Sequence, residues 1–156
     1  MTTIRIRRLK CSDAGEAGAL IARTYRTFNR HDATRKGLAG FLRHYDPSNG
    51  LESIREHLLR TPLRYVAVHN DKIVGVIRGF ERYIVNLYVH GDYHRMGVGS
   101  QLLARYLYCC RRKGVRDIKL RATSYGVPFY QKHGFKRTTG VRMFWGLRIQ
   151  PMKKML

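Results

Sequence analysis

The chain has 156 residues, 44% hydrophobic and 26% charged, with 31 Lys and Arg against 10 Asp and Glu, a formal net charge of +21. That is apolar material for one ordinary core; it excludes a disordered tail, and no uncharged apolar run approaches the ~18 residues needed to cross a bilayer. Three cysteines without a Cys-x-x-Cys pair exclude a disulfide framework, and the first residues, Met1 to Arg8, hold no signal-type apolar stretch, so the expectation is one cytoplasmic domain over residues 1–156 without membrane contact.

Ile4, Ile6 and Leu9 alternate with arginines and predict a first strand. Ser12 and Asp13 read as helix caps, with Glu16 at the capping-box position relative to Asp13. Ala17, Leu20, Ile21, Tyr25 and Phe28 then mark one helical face. Residues 29–50 are polar and Gly-containing and predict a connection that closes in the turn cluster Asp46-Pro47-Ser48-Asn49-Gly50. Leu51, Ile54 and Leu58 space a second, short helix that Pro62 ends. Three strands follow, over 64–69, 72–79 and 82–89, the first two joined by a tight turn at Asn70-Asp71.

The chain then reads Gly91-Asp92-Tyr93-His94-Arg95-Met96-Gly97-Val98-Gly99 and enters a long helix with Val98, Leu102, Leu103, Tyr106, Leu107 and Cys110 on one side, stopped by Gly114. Residues 117–122 alternate as a strand, Pro128 opens a short helix, and residues 135–150 predict a closing hairpin. The order β-α-α-β-β-β-α-β-α-β-β is that of a mixed α/β domain. The basic excess is concentrated in residues 101–156, which hold 14 basic side chains and 1 acidic one interleaved with apolar residues. A field of that sign attracts anions: nucleic acid, acidic lipid or phosphorylated small molecules.

Strand, glycine loop and helix over residues 83–112 combine an unobstructed backbone at Gly97 and Gly99 with unpaired helix N–H groups, a phosphate-binding arrangement to which Arg95 adds a cation. The same glycines also suit a plain strand-to-helix turn. Leu102 stands where a dinucleotide fingerprint needs a third glycine, and Gly99-Ser100-Gln101 is not a P-loop.

Leu87-Tyr88-Val89 followed by His94-Arg95-Met96-Gly97-Val98-Gly99-Ser100 resembles motif A of the GNAT superfamily of acetyl-CoA-dependent N-acetyltransferases, Gln/Arg-x-x-Gly-x-Gly/Ala. Pro128-Phe129-Tyr130-Gln131-Lys132-His133-Gly134-Phe135 resembles its second signature, Phe-Tyr-x-x-x-Gly-Phe. The order of elements fits over essentially the whole chain. His94 departs from the Gln/Arg of the pattern. The resemblance implies an α/β GNAT fold: a central mixed, mostly antiparallel sheet with two splayed parallel strands, 82–89 and 117–122, flanked by helices on both faces.

The resemblance further implies acetyl-CoA as co-substrate and no metal. The pantetheine would pair with backbone groups around Leu87, Tyr88 and Val89. The pyrophosphate would sit on Arg95, Met96, Gly97, Val98, Gly99 and Ser100, with His94 as a pH-dependent donor. Phe129 and Ser124 would border the cofactor, Ser124 alternatively capping the following helix. Tyr130 is implied as the acid for the departing thiolate and the Val89 N–H as the group polarising the thioester carbonyl. For the base the resemblance points to a Glu near the start of strand 82–89, where Glu81 is the one acid; Glu81 equally suits a plain surface position in the turn before that strand, Glu52, Glu56 and His69 stand behind it, and an amine already partly neutral needs no strong base. His90 and His94 have no acid or Cys at ligand spacing, and Cys109 and Cys110 read as packing residues.

The acceptor is then a small-molecule or peptide amine. Polycationic amines need acidic pockets and are disfavoured by 10 acids in the chain. The alternative is a basic nucleic-acid- or ribosome-associated protein on the same fold, motivated by Arg111-Arg112-Lys113 and Lys153-Lys154 but not favoured, since no RNA- or DNA-binding motif is present. Members of the family are often dimers, which leaves a homodimer open.

Overall fold

The computed structural model describes residues 3–156; Met1 and Thr2 lie outside the described residues. The elements run β1 (Arg5–Arg8), α1 (Ala14–Phe28), α2 (Arg35–Tyr45), α3 (Leu51–Leu59), β2 (Leu63–His69), β3 (Lys72–Phe80), β4 (Tyr83–Val89), α4 (Val98–Arg112), β5 (Asp117–Ala122), α5 (Val127–Lys132), β6 (Lys136–Arg137), β7 (Arg142–Phe144) and β8 (Leu147–Met155). The sheet order is β1-β2-β3-β4-β5-β8-β6, with β7 pairing β8. Strands β4 and β5 run parallel, and the other described pairs are antiparallel.

Helices cover both faces of this sheet. Val66, Val68, Ile73 and Val76 pack toward α1 and α3 with Leu20, Ile21, Ile54 and Leu58. Tyr65, Ala67, Val74 and Ile77 pack toward α4 with Leu102, Leu103, Tyr106 and Cys110. Strand β3 has to bury both faces, which is why it reads as an unbroken apolar run, Ile73-Val74-Gly75-Val76-Ile77. The expected turn at Asn70-Asp71 has both residues at positive φ, 50° and 61°, the geometry a two-residue hairpin requires.

Three local expectations are corrected. Residues 29–50 are not a plain connection: they carry α2, whose N-cap Thr34 accepts the Gly37 N–H. Its apolar face is thin, with Phe41 and Leu42 only partly buried, so its periodicity is weak. Asp13 does not cap α1. It binds Arg7 at 2.7 Å and the Lys10 N–H, while Glu16 accepts from the Ile73 N–H at 2.7 Å, tying α1 to the sheet. The hairpin expected over residues 135–150 is formed by β7 and β8, but it is not the whole of the segment: β6 is an added short strand, and β8 runs on to Met155 to pair with β5 and β6 as well.

One buried charge stands out. Arg78 on β3 is 1% exposed. It donates from Nε to Asn86 Oδ1 at 2.6 Å and from one terminal nitrogen to the Tyr45 hydroxyl at 2.9 Å, with His57 Nε2 at 3.0 Å. No carboxylate contacts it among the described residues, so neutral acceptors carry its solvation. Burial, then the neighbouring Arg78 charge, lowers the His57 pKa to about 4, which keeps Nε2 free to accept.

Between pH 6.5 and about 4 the unfolded chain therefore takes up a His57 proton that the folded chain refuses, and stability is lost as pH falls through that window. Asp13 and Asp46, whose carboxyls are held low by arginines, lose their contribution only below about pH 3.8. Thermal melts across this range should show Tm falling first in the upper window, and His57→Gln should make that part of the curve shallower, leaving the smaller share of His133, whose pKa burial also lowers.

Candidate functional site

Strands β4 and β5 are partners over two residue pairs only, Tyr83↔Lys119 and Ile84↔Leu120. Beyond them the two strands diverge, although β4 continues to Val89 and β5 to Ala122. The cause is local. The register between β3 and β4 shifts from Arg78↔Asn86 to Gly79↔Ile84, which leaves Val85 as an extra, bulged residue on β4. A bulge bends its strand, and here it follows directly on the last β4–β5 pair.

Main-chain groups line the opened gap. The His90 N–H donates to Val74 O across β3. Alternation along the strand turns the peptide groups of Val89 and Leu87 to the other edge, into the gap. The Val89 carbonyl is indeed met there by His94 Nε2 at 2.6 Å. On the facing strand the Lys119 N–H reaches Arg82 O, so the groups of Arg121 also point inward. A cavity of about 780 Å³ fills the gap, lined by Leu87, Tyr88, Val89, residues 93–95 and 97–100, and by residues from β5 and α5.

At one end of the cavity the loop after β4 turns sharply into α4. Arg95 and Gly97 take positive φ, 64° and 81°, and Gly97 is an N-cap without a side-chain bond to the helix. The first N–H groups of α4 thus face outward unsatisfied, at the positive end of a 15-residue helix. Gly99 lets the Phe129 ring approach: a Cβ there would lie 3.2 Å from it. Ser100 Oγ and His133 Nε2 are 3.0 Å apart, and burial lowers the His133 pKa, with Lys132 and Lys154 adding to the effect.

The opposite wall comes from α1 and the turn after it. Phe28 is half-buried, not in the core, and its ring lies 4.6 Å from His94 and 4.8 Å from Tyr125. The Tyr125 hydroxyl meets His94 Nδ1 at 2.9 Å. Asp32, 3% exposed, accepts from the Ser124 N–H at 2.8 Å and from its hydroxyl at 2.7 Å. Residues 28–32 are therefore clamped onto both arms of the divergence. Tyr130 projects from α5 into the cavity, 8% exposed, and burial holds its phenol well above the ordinary range.

A model described as the acetyltransferase (GNAT) domain matches residues 29–156. The chain belongs to the GNAT acetyltransferase family. It is 34% identical over 83 residues to an uncharacterised N-acetyltransferase of Pyropia yezoensis, covering 49% of this chain and 48% of that protein. It is 33% identical over 72 residues to the uncharacterised N-acetyltransferase YafP of Escherichia coli, covering 46% and 45%. The chain spans about half the length of the curated relatives it matches. Among solved structures, a GCN5-related N-acetyltransferase from Rhodopseudomonas palustris superposes with TM-score 0.85 at 20% identity, over 100% of this chain and 98% of that one. The PaiA N-acetyltransferase of Thermoplasma acidophilum, solved with coenzyme A, gives 0.76 at 21% identity over 99% of both chains. Their likeness is one of GNAT fold.

Against that fold, the predicted site residues divide. Leu87, Tyr88, Val89, His94, Arg95, Gly97, Val98, Gly99, Ser100, Ser124, Phe129 and Tyr130 all line one cavity. Met96 does not; its side chain is 61% exposed. His94 is turned back onto Val89 and Tyr125, away from the helix end. Ser124 caps nothing; Thr123 Oγ1 takes the Gly126 N–H instead. Glu81 is not brought to the cavity. It lies in the turn before β4, paired with Lys113 at 3.0 Å beside the far end of α4. Sequence reasoning missed the wall formed by Thr24, Phe28 and Asn29 and the Asp32–Ser124 tie, which joins residues 92 positions apart and leaves no periodic signal.

That tie is testable by itself. Asp32→Ala strands the Ser124 N–H and should cost about 2–3 kcal/mol in chemical denaturation, while Ser124→Ala, which keeps the N–H bond, should cost about half as much.

Proposed function

We propose that the protein is an acetyl-CoA-dependent N-acetyltransferase that moves the acetyl group to a primary amine by direct attack. The observation that carries this reading is the β4–β5 divergence. An unpaired strand edge at Leu87 and Val89 can take the amides of a pantetheine arm as an added strand. The helix end at Gly97–Ser100 supplies N–H groups for a diphosphate, and Arg95 a cation that is exposed to solvent. Family membership and the coenzyme A found in the PaiA protein support the same co-substrate.

In the reaction the amine lone pair attacks the thioester carbon and forms the C–N bond. The carbonyl oxygen gains charge, which the Val89 N–H is aligned to stabilise once the strand edge is occupied. Collapse breaks the C–S bond, the thiolate takes the Tyr130 proton, and the proton lost by the nitrogen returns to the phenolate through water. Amide and free thiol result, with Tyr130 restored. Burial keeps Tyr130 a neutral phenol throughout the neutral pH range, the form an acid needs. Glu81 lies outside this arrangement and has no part in the proposal.

Two variants test the reading. Tyr130→Phe should lower kcat by about 10²-fold or more while calorimetric binding of acetyl-CoA stays unchanged. Arg95→Gly relieves a side chain held at positive φ, so Tm should hold or rise by the equivalent of about 1 kcal/mol while coenzyme A binding weakens. Absence of micromolar-range binding by the unaltered protein would sink the proposal.

A further inference from the structure

Helix cover on the α1–α3 side of the sheet stops at β4. Among the described residues none from β5 to β8 belongs to the core packed under those helices. On β5, Lys119 and Arg121 face that way and are exposed. Their neighbours turned to the other side, Ile118, Leu120 and Ala122, are buried in the core with α4. The second half of the sheet therefore carries a bare face.

That face is built against its own stability. Lys119 stands directly opposite Lys153, and Lys153 directly opposite Lys136, so three ammonium groups form one row across β5, β8 and β6. Like charges directly opposite one another destabilise a sheet. Asp117, the one acid in residues 101–156, does not balance them. It meets Lys153 at 3.1 Å and is shared with Arg82, whose Nε donates to it at 3.0 Å. Aromatic rings sit among the cations. Tyr83 on β4 is in register with Lys119. The Arg121 guanidinium contacts two rings, 3.9 Å from the Phe144 centroid and 5.3 Å from that of Tyr83. Trp145 follows Phe144 at the turn into β8, 83% exposed, its ring 5.9 Å from that of Phe144.

We propose that this sheet face binds single-stranded nucleic acid: the row Lys119, Lys153 and Lys136 holds the phosphate backbone, and bases stack on the Phe144 and Trp145 rings and on the Arg121 plane. Phosphates supply the negative charge that the lysine row lacks. Stacking on rings and guanidinium planes needs unpaired bases, which a duplex withholds. The Tyr83 and Phe144 rings lie against Arg121 as platforms, the opposite of the projecting anchors that a bilayer would take up. No local motif announces the face, because its residues come from β4, β5, β6, β7 and β8 and meet through strand register alone. This function is independent of acyl transfer. It gives the basic excess of residues 101–156, far larger than one diphosphate needs, a partner of matching charge.

Trp145 is the only tryptophan of the chain, so its fluorescence reports on this face. The protein is titrated with oligouridine RNA and oligothymidine DNA of about 16 nucleotides, with a duplex of the same length, and with phosphatidylserine vesicles at matched phosphate concentration. Both single strands should quench Trp145, and log K should fall against log salt with a slope of about −2, as for three neutralised phosphates. The duplex and the vesicles should bind at least about tenfold more weakly. Lys119→Gln combined with Lys136→Gln should weaken single-strand binding about tenfold and make the slope shallower by about 1.4, yet hold or raise Tm, since it relieves both opposed pairs. Phe144→Ala should weaken binding about fivefold or more with the slope unchanged. Arg111→Gln combined with Arg112→Gln, on the helix that covers the other side of the sheet, should change binding by less than about twofold. The proposal is overturned if neither single strand quenches Trp145, if the salt slope is near zero, if the duplex or the vesicles bind as tightly, or if the arginine pair matters as much as the lysine pair.

Discussion

The structure turns on the point where β4 and β5 stop pairing. Parallel strands in a sheet normally stay hydrogen-bonded along their shared length, because unpaired backbone groups are costly away from water. Here pairing ends after Ile84↔Leu120, and the bulged Val85 bends β4 away at that point. The sheet tolerates the opening because each strand is secured on its other side. Strand β4 is bonded along β3, and β5 pairs with β8 from Asp117 to Ala122. The gap thus exposes main-chain donors and acceptors on two rigid edges, which a mobile loop could not present with the same precision.

Most of the architecture was legible in the sequence, since long apolar periodicities dictate it. The face of α4 from Val98 to Cys110 and the double-sided apolar run of β3 could hardly fold otherwise. What escaped was governed by tertiary contacts. Helix α2 is short and only thinly apolar, and it is stabilised by Phe41 stacking on Tyr25 at 4.2 Å, a contact between elements that no local pattern announces. Asp13 and Glu16 look like helix-capping residues, but a nearby arginine and a strand N–H offered stronger partners.

The candidate site divides along the same line. Its half built from one continuous stretch, strand, glycine loop and helix, could be read directly, because the spacing of Gly97 and Gly99 is itself the geometry. The half built by bringing α1 over the strand ends could not. Phe28 carries the helical spacing of a core residue, yet the chain ends its helix just as it passes the gap, leaving the ring over His94 and Tyr125. Glu81 shows the converse hazard. It is near the start of β4 in sequence, but the gap opens at the other end of that strand, so proximity along the chain put it on the wrong side of the sheet's pairing.

The large positive charge acquires a physical meaning from where the few acids are spent. Asp13 is held by Arg7, Asp46 by Arg26, Glu52 by Arg55, Glu81 by Lys113, and Asp117 by both Arg82 and Lys153. Glu16 and Asp32 accept from neutral backbone N–H groups, which hold their carboxylates in place and leave them charged. The ion-paired acids neutralise their own neighbours and little else, so the 31 basic side chains leave a large unpaired excess of positive charge. Such an excess favours polyphosphate anions. Because no carboxylate stands among the described residues that line the cavity, the helix end at Gly97–Ser100 meets no competing anion there, which is the electrostatic condition for seating a diphosphate.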